Sequence, residues 1–213
     1  PRRAAAGLGL LLAQPARAEA PLDRLELKTG RSKVGQCELR VPADWSLQED
    51  PTNDGRPQEK RIYAYSFGEK DDGILAVRVD QKPMGPFLRG FGFKAAPEDL
   101  VADEWSTVVS GPISQEAMAR YLMGIRKKDD KEQSIVDSSM EGNTFKLHML
   151  RRVFGTDGRV LPSRYVSATA LLKNGTITTA VLNAPYFHWE PEWRGQYPGS
   201  QLDAISQSLR LLN

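Results

Sequence analysis

Between residues 133 and 182, four runs of β-favouring residues follow one another with little but turns between them. They cover residues 133–140, 144–154, 164–172 and 176–182. The connections are Glu141-Gly142-Asn143, a longer loop over 155–162, and Lys173-Asn174-Gly175. Asn-Gly between two strand patterns is the strongest short hairpin signal, because both central residues of a type I′ turn need positive φ. Strands joined this tightly run antiparallel, so the last third of the chain is expected to be a four-stranded meander.

The rest of the chain adds strands before the meander and helices on either side of it. Residues 34–41 place Cys37, Leu39 and Val41 at a period of two, and Pro42 ends the run. Asp44-Trp45 opens a further short segment, and the polar stretch 48–59, with Pro51, Gly55 and Pro57, is a loop. Residues 61–67 and 74–79 read as strands around a turn over 69–73 that closes on Asp-Gly. Residues 81–96, which hold Pro83, Pro86, Gly90 and Gly92 with Phe87, Phe91 and Phe93, are expected to form a long loop. Pro97-Glu98-Asp99 then starts a helix continued by Leu100, Val101, Trp105 and Val108. Ser114 caps a second helix through Met118, Tyr121, Leu122 and Ile125, with Arg126-Lys127-Lys128 at its negative end. After an aromatic loop over 186–197, Ser200 and Asp203 outline a capping box, and Leu202, Ile205, Leu209 and Leu212 form one helical stripe. The expected class is α+β, a central antiparallel β-sheet packed between helices, with residues 19–213 forming one domain.

Residues 1–18 read as an export signal. Arg2-Arg3 precedes an Ala/Leu/Gly run over 4–13, and Ala16-Arg17-Ala18 has the small-x-small form of a cleavage site. A ten-residue helix of this kind spans about 15 Å, half of a bilayer core, and is too short to cross a membrane. Cleavage after Ala18 would leave 195 of the 213 residues. The chain does not begin with Met, which leaves room for a longer targeting segment upstream, as a plastid protein needs. The expected destination is the thylakoid lumen of a chloroplast, with a bacterial periplasm as the alternative. The whole chain has a net charge of +2, but the signal segment holds three arginines and no acids, so the remainder carries −1. A chain so nearly neutral has no electrostatic footprint for nucleic acid.

Chemistry-bearing motifs are sparse. A lone cysteine, Cys37, excludes an internal disulfide framework and any multi-cysteine metal site. On a strand with no histidine partner implied, it reads as a small buried hydrophobe. His148, in Phe145-Lys-Leu-His-Met-Leu150, alternates with core positions and reads as a sheet-surface histidine beside Lys146. The segment from His188 to Glu192 sets one imidazole near two carboxylates, a weak divalent site at best, which Pro191 disfavours. No Gly-x-Ser-x-Gly elbow, phosphate loop or His-Glu-x-x-His occurs, so neither a catalytic residue nor a metal ligand is assigned. The aromatic loops stand out instead: Phe91 and Phe93 in one, Tyr186, Phe187, Trp189 and Trp193 in the other. They either fold back over the sheet or present anchors to a protein partner.

Leu39-Arg-Val-Pro-Ala-Asp-Trp-Ser46, the strand Ile74-Leu-Ala-Val-Arg-Val79, and the order from Ile135 through Asn174-Gly175 to Leu209 resemble the PsbP family over residues 34–212. The resemblance implies an antiparallel sheet between helices. It also implies a non-enzymatic thylakoid-lumen protein, peripheral to the membrane, that aids assembly or stability of photosystem II or a related complex. Its partners would be subunits of that complex. The oxygen-evolving member of the family helps retain calcium and chloride. A histidine of the plant subunit falls on Tyr165 here, and the 81–96 region differs, so calcium rests on the resemblance alone and no cofactor is assigned. Three other readings compete. One is a GTPase-binding nuclear transport factor of the same fold, which the export signal opposes. The others are an exported enzyme using Cys37 or the 188–192 loop, and a periplasmic binding protein with an unidentified partner.

Overall fold

The computed structural model describes residues 22–27, 37–43, 45–49, 60–67, 74–90, 92, 102–109, 113–125, 133–154, 156–158, 160–190, 192 and 197–212. The strands are β1 (Leu22–Leu27), β2 (Cys37–Pro42), β3 (Ser46–Glu49), β4 (Lys60–Phe67), β5 (Ile74–Pro83), β6 (Gln133–Glu141), β7 (Thr144–Phe154), β8 (Val160–Lys173), β9 (Thr176–Pro185) and β10 (Arg210–Leu211). The helices are α1 (Met84–Gly90), α2 (Trp105–Val109), α3 (Gln115–Met123) and α4 (Gly199–Gln207), with a 3-10 helix over Tyr186–Trp189. Seven strands make one sheet in the order β3-β4-β5-β9-β8-β7-β6, and β1-β2-β10 make a second. Every pairing is antiparallel.

Asn174 and Gly175 sit at φ 48 and 66, the left-handed pair that the β8–β9 turn needs. From there the register runs through Lys173↔Thr176 to Arg164↔Pro185. β9 is buried over most of its length on both faces, and so is β8 from Val166 to Leu172. One face carries Phe145, Leu147, Met149, Val166, Ala168, Leu172, Ile177 and Val181, and packs against α1, α2 and α3. There the Trp105 indole stands edge-on to Phe145, centroids 5.5 Å apart, and donates its N–H to the Ala170 carbonyl. The opposite face carries Leu75, Val77, Val79, Ala180, Leu182 and Ala184. It packs against Leu202, Ile205 and Leu209 from α4 and its C-terminal side, and against Cys37, Leu39 and Val41 of β2. The α+β class with a central antiparallel sheet between helices is therefore what forms.

Several local expectations change. Residues 81–96 are not all loop: β5 runs on to Pro83 and α1 follows, because Pro86 falls in the first turn of a helix, where a missing N–H costs no bond. The loop over 155–162 is shorter, since β8 begins at Val160. α3 is capped by Ser114 Oγ accepting from the Ala117 N–H, but it ends at Met123 rather than reaching the lysines. Gly124, at φ 68, turns its N–H back onto the last carbonyls, and Ile125 is buried beyond it. α4 has Pro198 at its N-cap with no side-chain capping bond, so Ser200 and Asp203 make no capping box. The helix stops at Gln207, which puts Leu209 and Leu212 outside it; Leu209 is still fully buried. The expected signal over 1–18, the turn over 69–73, Pro97 to Val101 and Arg126 to Lys128 lie outside the described residues.

Phe145 is fully buried between the sheet and Trp105. Phe145→Ala is expected to lower unfolding stability by about 3–5 kcal/mol, read as a shift in urea midpoint at unchanged slope.

Candidate functional site

The clearest grouping of polar side chains lies beneath α4, and a local irregularity in β6 builds it. Ile135 pairs with Met149 and faces the α1–α3 core, so regular pairing would place Val136 opposite His148. The register shifts between Ile135 and Asp137, and Asp137 stands opposite His148 instead. Val136 is the extra residue of this bulge and is 58% exposed. The carboxylate thereby moves to the face on which β7 presents His148. Asp137 Oδ1 lies 2.8 Å from His148 Nδ1.

On its other side His148 meets α4: Nε2 lies 3.3 Å from Asp203 Oδ1. That oxygen is buried and has no other hydrogen-bond partner among the described residues, so the imidazole is its compensation. The other Asp203 oxygen, Oδ2, accepts the Trp189 indole N–H at 3.2 Å. The bond to Asp203 raises the His148 pKa; its charge and Asp137 add to this against the opposing effect of burial. Two carboxylates and an imidazole with both nitrogens facing them form a clasp joining β6, β7 and α4. The sheet-surface reading of His148 is thus corrected: it does share a face with exposed Lys146, but α4 packs over the histidine itself.

An aromatic stack adjoins the clasp. Tyr165 of β8 stacks on His148 at 5.5 Å between centroids and meets Trp189 at 4.4 Å and Tyr186 at 6.3 Å. Burial, first, and the two aspartates push its phenol up to about 12. Trp189 is wedged against α4 so closely that a Cβ on Gly199 would lie 2.4 Å from its Cδ1. His188 is buried, its Nδ1 2.8 Å from the Tyr197 carbonyl oxygen, and Phe187 is half-buried. Tyr186 is the large residue of this group left open, at 41% exposure. At the same end of the sheet the register aligns Arg151, Arg164 and Pro185. Arg164 is held below its ordinary pKa by burial and by the charge of Arg151, and it donates to Asn183.

The six aromatic candidates therefore divide. Tyr186, Phe187 and Trp189 come together on one 3-10 helix, with Trp189 serving the α4 contact and Tyr186 facing solvent. Phe91, Phe93 and Trp193 lie outside the described residues. Sequence reasoning missed Asp137, Tyr165 and Asp203; the acid at Asp203 was legible, but as a cap rather than as a ligand for His148 and Trp189. Cys37 is fully buried, and burial pushes its thiol up to about 12, so it holds no thiolate near neutrality. No group of three or more potential metal ligands forms among the described residues. None of their helices is long and apolar enough to cross a membrane. A separate open groove of about 1050 Å³ beside the end of α4 mixes Arg40, Lys146, Lys173 and Arg210 with Glu38 and Glu141.

Comparison with solved structures finds the fold of the cyanobacterial PsbP (CyanoP) of Synechocystis sp. PCC 6803. The likeness covers 95% of this chain and 99% of that one, with a TM-score of 0.52 and 14% sequence identity. Two weaker likenesses carry no argument about this chain. One is to LpqN of Mycobacterium tuberculosis (TM-score 0.39, 12% identity, 90% of this chain and 92% of that one). The other is to a Bacteroides thetaiotaomicron protein (TM-score 0.38, 10% identity, 84% and 46%). No family model matches the chain, and no curated protein matches its sequence.

Two outcomes follow from the geometry. Because the His148 pKa is raised on folding, the clasp's contribution is complete below about pH 6.5 and is lost as pH rises through the raised value. Urea midpoints of the native chain should fall across that window relative to those of His148→Gln, whose midpoints should lack this component. Gly199→Ala should cost about 1–3 kcal/mol, because the new methyl displaces the Trp189 ring, and should blue- or red-shift the tryptophan emission.

Proposed function

We propose that this protein is a non-enzymatic auxiliary factor or extrinsic subunit, peripheral to a photosynthetic membrane. It would aid assembly or stability of photosystem II or a related complex. The observation that carries the reading is the likeness to cyanobacterial PsbP, which covers 95% of this chain and 99% of that one rather than a shared motif. It agrees with the resemblance of residues 34–212 to the PsbP family and with an export signal over 1–18. The lumen of a thylakoid is the compartment that suits both, and calcium retention is not part of the proposal.

The chemistry of the described residues favours binding over catalysis. Both His148 nitrogens face carboxylates, which leaves neither to carry a proton to a substrate. Cys37 is a buried thiol, and His188 is buried against a backbone carbonyl. The partner surface we favour is the 3-10 helix at this end of the sheet, where Tyr186 is exposed and Phe187 half-buried. An exposed tyrosine is a residue type that anchors protein interfaces, and Arg151 and Arg164, paired across β7 and β8 at the same end of the sheet, add positive charge that suits an acidic partner. Arg151 is exposed and has no acidic partner among the described residues.

Solubilised photosynthetic membranes run on a native gel and probed for this chain provide the test. Co-migration with a photosystem-sized band supports the reading, and a free monomer under every solubilisation condition overturns the stable-subunit form of it. Tyr186→Glu should abolish co-migration while leaving the melting temperature within about a degree or two, as expected for an exposed position. Trp189→Ala should instead lower stability by about 3–5 kcal/mol, because the residue holds α4.

A further inference from the structure

We propose that the His148 clasp makes partner binding at the Tyr186 surface depend on pH, with the protonated, closed clasp as the binding form. The inference deepens the proposed function and rests on it. It starts from the two-sided geometry at His148, where Nδ1 meets Asp137 at 2.8 Å and Nε2 meets Asp203 at 3.3 Å. A doubly protonated ring satisfies both carboxylates. A neutral ring has one N–H, so one carboxylate then faces a lone pair. The cost falls unequally. Asp137 is 68% exposed in its side chain and can turn to water, whereas Asp203 Oδ1 is buried with no hydrogen bond of its own.

Asp203 also connects the clasp to the surface. Its Oδ2 holds the Trp189 indole, which packs on Gly199 and on Tyr165, and Tyr165 in turn meets both His148 and Tyr186. Tyr186 and Trp189 are the two ends of one 3-10 helix. Loss of charge at His148 leaves Asp203 with at most a neutral N–H donor in place of a cation, and so weakens the one fastening shared by α4 and the short helix that presents Tyr186. The groups that face the imidazole among the described residues are Asp137 from β6, Tyr165 from β8 and Asp203 from α4, with Lys146 beside it on its own strand. Tyr165, pushed up to about 12, stays neutral throughout the window, which leaves His148 as the group that changes charge.

Two readouts on the full chain separate this proposal from the function it rests on. By nitrogen-15 NMR, the His148 ring and the Trp189 indole N–H should titrate with one shared midpoint above 6.5. In His148→Gln the indole should not move over that range. Asp137→Asn, at the exposed end of the clasp, should keep the fold and lower the shared midpoint. Retention on photosynthetic membranes washed free of peripheral proteins should weaken about five- to tenfold between about pH 6 and pH 8.5 for the native chain. For His148→Gln, retention should stay flat over the same range. Separate midpoints for the two groups, or retention of the native chain that is flat with pH, overturns the proposal while the partner reading stands. Retention absent at every pH, with the shared midpoint intact, overturns the partner reading and the coupling together.

Discussion

The pairing of β8 with β9 is the constraint that the rest of the molecule depends on. Over Val166–Leu172 and Ile177–Leu182 both strands are buried on their two faces, so these residues face one core or the other, with no solvent side to take up an error. Val181 faces the α1–α3 core and Leu182 the α4 core. A slip of one residue would exchange them and every pair beyond. The Asn174-Gly175 turn prevents that slip through backbone conformation alone, at φ 48 and 66. With the register set, the strands on either side inherit their facing, including the strand that carries His148.

How much of this was legible in the sequence depended on how local the cause was. Turns and strand alternation are local, so the four-strand run and the inward facing of Cys37, Leu39 and Val41 were readable with nearly correct limits. The α1 helix was not, because Pro86 and Gly85 read as loop residues unless the start of the helix is already known. Ser200 and Asp203 had the spacing of a cap, yet a two-residue difference in where α4 begins removed the capping role. The clasp had no local signature at all. Its members lie 11 and 55 residues from His148 in the chain and meet through a bulge and a helix packing.

The aromatic loop shows the same division within a few residues. Its composition suggested anchors for a partner or a cover for the sheet, and a covering residue and an open one occur side by side. Trp189 covers, held by Asp203 and pressed on Gly199, while Tyr186 stands open beside it. A surface residue mounted on a structural one is oriented by the core beneath it. It therefore loses little conformational freedom on contact, which favours affinity for a modest area.

The extra residue at Val136 has one more consequence, for folding in a crowded compartment. β6 is the outer strand of the seven-stranded sheet, the place where another chain could add a strand. An incoming strand would have to match regular pairing on both sides of a displaced residue, and farther along it would meet the Gln115 amide already bonded to the Ser138 carbonyl. The irregularity that brings Asp137 to His148 thus also works against polymerisation through β6. Restoring a regular strand by removing Val136 would lose both protections at once.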